Sequence, residues 1–252
     1  MSDSVLRLLF QAQAGRLGRA LAGQLDASVL DTRVTGHLLH TLKAAALSAD
    51  EALLARHCHA VESALLAADA DTLRQALAAL LAMLDLSAPV SDTVPAMTLT
   101  ALQLSLRSGF AASLHMAGQR GVLRLDIAEA WLVHADFLLD ALPHLLRNAI
   151  VHGGEETAVR VAAGKPEALQ VRVRARVLMD ALPPRLTLVV TDDGRGTARP
   201  AQPEADLLAG RGWGVAAVRA AAAMLPGGHL RYRGSAGRGS CVRITCFNPN
   251  KL

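Results

Sequence analysis

Residues 142–154 read LPHLLRNAIVHGG, and residues 189–196 read VVTDDGRG. In the first stretch His144 and Asn148 are four apart, so on a helix they share one face and set an imidazole beside an amide oxygen that can ligate Mg²⁺. In the second, a β-branched run ends in an Asp-Asp-Gly turn. There Asp192 can accept a hydrogen bond from an exocyclic amine, while Gly194 and Gly196 permit close backbone approach. A third stretch, GRGWG at 210–214, opens a helix. Its Gly210, Gly212 and Gly214 leave backbone N–H groups facing a phosphate at the positive helix end. A single glycine-rich turn before a helix is commonly only a connection, and His144 alone would be an ordinary half-buried histidine. The order of the three is the signal, because together they supply metal, base-recognition and phosphate contacts.

Working outward from these stretches, the pattern predicts a helix near 98–119, a strand Val122–Ile127 and a helix near 134–152. Strands at 169–177 and 185–191 follow, the first alternating as VRVRARV. A helix near 212–225 then leads to a pair of strands, HLRYRG and CVRITCF, joined through residues 235–239. This half reads as an α+β sandwich. Upstream, Val5 to Leu86 is rich in Leu and Ala, lacks Pro and spaces its apolar residues by three and four, as in Leu73, Leu77, Leu80, Leu81 and Leu84. Breaks at 26–28, 48–50 and 68–71, where Asp or Ser can cap the next helix, divide it into three or four helices. The stretch LSAPVSDTVPA at 86–96 is a linker by composition. Two domains are therefore expected, 1–88 and 98–252, which suits a chain of 252 residues.

Composition excludes several classes. Hydrophobic residues are 52% and charged residues 19%, too apolar a mixture for intrinsic disorder. Aromatics are 3%, a poor supply for stacking nucleic-acid bases. The net charge of +4 comes from arginines scattered along the chain with no basic run, so neither nucleic acid nor a membrane is expected as a partner. Cys58, Cys241 and Cys246 have no metal-like spacing, and no structural metal is expected. With no leader-like N-terminus and no span of about 18 apolar residues, the expected location is the cytoplasm.

RNAIVHG, DDGRG, GRGWG and GRGS (Gly237 to Ser240) resemble, in this order, the asparagine box and successive glycine boxes of the GHKL ATPase domain shared by histidine kinases, gyrase and MutL. The resemblance covers about 98–247 and is most similar to CheA and sensor histidine kinases. It implies a helical N-terminal bundle followed by a GHKL-type α/β sandwich, with ATP and Mg²⁺ as cofactors. By position Asn148 would hold Mg²⁺ and Asp192 the adenine amine. Gly194, Gly196, Gly210, Gly212 and Gly214 would hold the nucleotide and its lid, and His144 would assist proton removal from the phosphoacceptor. The chain departs from the family at Val151, where Lys or Asp is usual, at Trp213, where Leu is usual, and in a short lid, Thr197 to Ala209.

In the helical half, His40-Thr-Leu-Lys43 resembles the phosphoacceptor motif of histidine phosphotransfer domains, and equally the acceptor box of a dimerising kinase hairpin. Ala44 stands where phosphotransfer domains usually have Gly. Lys43 lies one turn from His40, close enough to steady a phosphoryl charge. His57 and His59, two apart on the next helix, point in different directions and do not chelate a metal with Cys58. The resemblance implies a two-component histidine kinase that phosphorylates His40 and passes the phosphoryl group to a response-regulator receiver aspartate. It would act as a homodimer with an upstream sensor protein. Two alternatives stand beside it: a phosphotransfer adaptor whose GHKL domain no longer binds ATP, and a serine kinase of the anti-sigma type.

Overall fold

The computed structural model describes residues 2–27, 29–49, 51–67, 70–84, 98–178, 184–196 and 213–248. The chain divides into two compact units, Met1–Gly109 and Phe110–Leu252, and the division falls inside a helix.

The first unit contains α1 (Ser2–Asp26), α2 (Thr32–Ser48), α3 (Ala52–Leu66) and α4 (Ala70–Ala82), with breaks at the three places the sequence marks. Successive helices pack on one another and α4 returns to α1, closing a four-helix bundle. Its core takes one stripe from each helix: Leu17 and Leu21, Leu39 and Leu42, Cys58 and Val61, Leu77 and Leu80. These side chains are at most 2% exposed, so cutting one of the leucines back to Ala would cost about 2–5 kcal/mol. Burial pushes the Cys58 thiol up to about 12, leaving it an unreactive core residue. Two of the helix ends are satisfied by side chains. Asp31 Oδ1 accepts the Val34 N–H at 3.0 Å and so caps α2. At the C-terminus of α1, Arg74 donates to the carbonyls of Leu25 at 2.9 Å and Ala27 at 3.4 Å.

Helix α5 (Leu99–Ala117) is capped by Thr98, whose Oγ1 accepts the Ala101 N–H at 3.1 Å, and it carries the chain into the second unit. There β1 (Gly121–Ile127), α6 (Ala135–Val151), α7 (Thr157–Ala162), β2 (Leu169–Leu178), β3 (Arg185–Asp192), α8 (Trp213–Ala223), β4 (His229–Ser235) and β5 (Gly239–Phe247) follow. The five strands form one sheet in the order β1-β2-β3-β5-β4, parallel between β1 and β2 and antiparallel elsewhere. Two short elements exceed the sequence reading: a 3-10 helix at Glu129–His134 and α7. Both are six residues long, too short for a periodicity to register.

One face of the sheet is the core. The inner residues of β2 (Val171, Val173, Ala175), β3 (Leu186, Leu188, Val190) and β5 (Val242, Ile244, Cys246) are buried. Helix α6 packs on β2, β3 and α8, while α8 packs on β4. The chain thus has the expected order, a helical bundle followed in sequence by an α/β sandwich. Among the described residues no helix is long and apolar enough to cross a membrane.

Candidate functional site

Two groups of polar residues stand out, one in each unit. In the bundle, α2 and α3 bring His40, Lys43 and Glu62 together. The His40 Nδ1 lies 3.2 Å from Glu62 Oε1, and the Lys43 ammonium donates to Glu62 Oε2. All three side chains are about three-quarters buried or more, with His40 the most open at 25%. His59, one turn before Glu62 and mostly exposed, has its Nδ1 3.7 Å from the same carboxylate. Burial alone would raise the Glu62 pKa, but the hydrogen bonds from His40 and Lys43 and the lysine charge outweigh it and hold the carboxyl below its usual range. An ionised Glu62 fixes the imidazole: a ring that donates its Nδ1 proton to a carboxylate keeps its lone pair on Nε2. Lys43 thus lies beside His40, its ammonium resting on the same Glu62 carboxylate. His57 turns away and pairs its Nδ1 with the Leu53 carbonyl at 2.9 Å. Glu62 is the residue that sequence reasoning passed over. It sits 22 positions from His40, and only the packing of α2 on α3 makes them neighbours.

In the second unit the site is built on the ends of α6 and β3. Asn148 lies in the last turn of α6, half-buried, and its carbonyl accepts the N–H groups of His152 at 3.0 Å and Gly153 at 3.3 Å. His144, one turn earlier, is 1% exposed, more deeply placed than the sequence suggests. The chain leaving α6 passes directly against the end of β3. A Cβ on Gly153 would lie 3.2 Å from Asp192 Oδ1, and one on Gly194 would lie 2.3 Å from the Gly153 carbonyl oxygen. The room that Gly194 and Gly196 leave is thus filled by the protein's own backbone. Gly196 has φ +64°, and a Cβ there would strike the Ser235 carbonyl of the β4–β5 turn at 2.0 Å.

Asp192 itself accepts the Gly194 N–H at 2.9 Å, the Ser240 N–H at 3.3 Å and the Ser240 hydroxyl. Burial raises its pKa, with those hydrogen bonds opposing. A carboxylate has about four acceptor positions, so three donors leave capacity for one more, the requirement for reading an exocyclic amine.

Behind this loop is an ionic hub absent from the sequence reading. Arg160, 1% exposed, donates from Nη2 to both Asp193 oxygens at 2.9 and 2.8 Å and from Nε to the Pro166 carbonyl at 2.8 Å. Lys165 bridges Glu155 at 2.7 Å and the Gly194 carbonyl at 2.9 Å. These bonds pin the loop that follows Asp192. Gly210 and Gly212 lie outside the described residues, and Gly214 sits in the first turn of α8.

Residues 133–250 match the family described as histidine kinase-, DNA gyrase B- and HSP90-like ATPase. That segment, a little under half of the chain, is similar to the ATPase domains of that family. A 57-residue segment of the chain is 47% identical to part of the gliding motility regulatory protein of Myxococcus xanthus. That match covers 23% of this chain and 7% of the other protein. Among solved structures, the histidine kinase domain of an Erythrobacter litoralis blue-light activated histidine kinase is 19% identical with a TM-score of 0.44, over 94% of this chain and 95% of that one. Acinetobacter baumannii histidine kinase AdeS is 17% identical with a TM-score of 0.40, over 79% and 95%. The matched segment carries the Asn148 amide at the end of α6, the part-buried Asp192 carboxylate with spare acceptor capacity, and a glycine-tight loop between α6 and β3. ATP and Mg²⁺ fit these residues.

Proposed function

We propose that the chain is the ATP-binding and phosphoaccepting core of a protein histidine kinase. The observation that carries this reading is the Glu62-bound imidazole of His40, with Lys43 on the same carboxylate, in a chain that also holds an ATPase domain. Asp192 would read the adenine amine, and Asn148 would ligate Mg²⁺, which when bound offsets phosphate charge. His40 Nε2 would attack the γ-phosphorus, forming an N–P bond as the bond to ADP breaks. Glu62 would take up the positive character that develops on the ring, and Lys43 would meet the incoming phosphoryl oxygens. His144 is the candidate for the family's proton-handling position. The phosphoryl group would then pass to a receiver aspartate of a response regulator. A bundle that closes within one chain supports the phosphotransfer type of acceptor domain over a hairpin that needs a second copy for its core.

The test is incubation with γ-labelled ATP and Mg²⁺. Acid-labile label that disappears in both His40→Gln and Asn148→Ala is the expected result. Acid-stable label, or label unchanged in His40→Gln, would overturn it. A second reading has its own observation: Val151, 48% exposed at the end of α6, stands where the family usually has a charged residue. It describes a phosphotransfer adaptor in which the ATPase domain binds no nucleotide. Absence of ATP binding at millimolar concentration, with His40 still accepting phosphate from a phosphorylated receiver, would establish that reading instead.

A further inference from the structure

The sheet's other face gathers arginines that the linear sequence scatters. Strand pairing and the alternation of burial place Arg172, Arg174 and Arg176 of β2, Arg243 of β5, and Arg231 and Arg233 of β4 on the side away from α6 and α8. Arg124 of β1 and Arg185 of β3 complete the set, and Asp126 is the one acidic residue on these strands facing the same way. The face thus holds eight of the chain's 26 Lys and Arg and one of its 22 Asp and Glu, so the remainder of the chain is net acidic. Seven of the eight arginines are exposed and Arg172 is half-buried.

Folding does not require this arrangement and is opposed by it. Arg231 lies directly opposite Arg243, and Arg124 beside Arg172, and like charges in register destabilise a sheet. A face kept only for solubility intersperses both signs. Asp126 bonds Arg176, and Arg185 lies over the Phe247 ring at 5.5 Å. Among the described residues the other six arginines have no ion-pair partner.

We propose that this face docks on an anionic lipid bilayer. The array is two-dimensional: five strands at about 4.8 Å spacing make it roughly 20 Å wide, with arginines in successive rows about 7 Å apart. A bilayer is a planar partner, so the exposed arginines of the face that have no ion-pair or ring partner, Arg124, Arg174, Arg231, Arg233 and Arg243, can approach its headgroup phosphates together, each worth a share of electrostatic attraction. A DNA duplex, a rod of similar width, touches such a face along one line, and the face offers no protruding element for a groove and a single aromatic, Phe247, for stacking. A stable protein interface depletes charge from its centre, whereas the central row here runs Asp126, Arg174, Val189, Arg243, Arg231. Docking would leave the opposite face, with α6 and the Asp192 loop, open to the aqueous side. The contact would be electrostatic and reversible, since among the described residues the exposed large apolar residues on this face are Val122 and Leu178.

Sedimentation of the full chain with vesicles tests this. Wild type should partition onto phosphatidylcholine vesicles carrying phosphatidylserine, stay in solution with phosphatidylcholine alone, and be released by added salt. Arg174→Glu combined with Arg243→Glu should lower the partition coefficient by about tenfold or more. Arg174→Gln with Arg243→Gln, a milder change that avoids introducing acid, should lower it less. Failure to sediment with anionic vesicles, undiminished binding by both variants, or tighter binding to a DNA duplex or to an acidic polypeptide at the same salt would each overturn the proposal. ATP binding is measured separately, so failure here leaves the kinase reading untouched.

Discussion

Glu62 and Asp192 are carboxylates of opposite character, and substitution separates what each does. For Glu62 the folded pKa is depressed from an ordinary value of about 4.5, so its contribution to stability is complete above that value and is lost as pH falls through the lower, folded one. Glu62→Gln should flatten the fall in bundle stability between neutral and acid pH, followed by urea denaturation, at a cost of about 1–3 kcal/mol at pH 7. The same substitution removes the anion that orients His40, so phosphorylation should drop by on the order of 10-fold or more. Asp192 has the opposite sign. Its folded pKa is raised, chiefly by burial, so its ionisation works against folding as pH rises through that value. Asp192→Asn keeps an oxygen for the Gly194 and Ser240 N–H groups and sheds the buried charge. Stability at pH 7 should stay within about 1 kcal/mol of wild type or rise, while calorimetry should find ATP affinity reduced at least about tenfold.

The turn joining β4 and β5 illustrates what an element demands of its residues. Gly237 and Gly239 both have positive φ, +72° and +86°, but their surroundings differ. A Cβ on Gly237 meets nothing within 4 Å, whereas one on Gly239 would sit 1.9 Å from the Asp192 carbonyl oxygen. Gly237→Ala should therefore cost about 1 kcal/mol, the conformational penalty alone. Gly239→Ala should cost at least about 2 kcal/mol more and weaken ATP binding as well, because the displaced strand end carries Asp192. Denaturation of the two variants side by side checks the difference. The sequence marked this turn as GRGS without distinguishing its glycines, since that depends on what packs opposite. Elements with several turns or clear alternation were legible: all four bundle helices and all five strands lie where periodicity places them. Helix α7 was not, because it inverts the usual pattern, exposing Val159 and Val161 and burying Arg160. A lone arginine between valines reads as a solvated residue until the carboxylate of Asp193, 33 positions away, is found beside it. Glu62 and the arginine face escaped for the same reason, since pairing across elements is not written in local spacing.

At the scale of the whole chain, the bundle core ends by residue 84, and α5, which leads into the sheet, begins at Leu99. The composition of 86–96 puts the joint there, and if that is correct each side should fold without the other. A fragment of residues 1–97 is expected to be helical, to unfold in one cooperative transition, and to elute as a monomer, because α4 already closes on α1 within one chain. Elution only as a folded dimer would instead support the dimerising hairpin and would make the homodimer essential to the acceptor site. The fragment of residues 98–252 should bind ATP with the affinity of the intact chain, since Asn148, Asp192 and the Arg160 hub all lie within it. Mixing the two fragments with labelled ATP then asks what the linker contributes. Labelling of His40 at the rate of the intact chain at equal concentration would make the tether dispensable. A rate that falls with dilution, while the intact chain's does not, would assign to the linker the effective concentration that brings acceptor and nucleotide together.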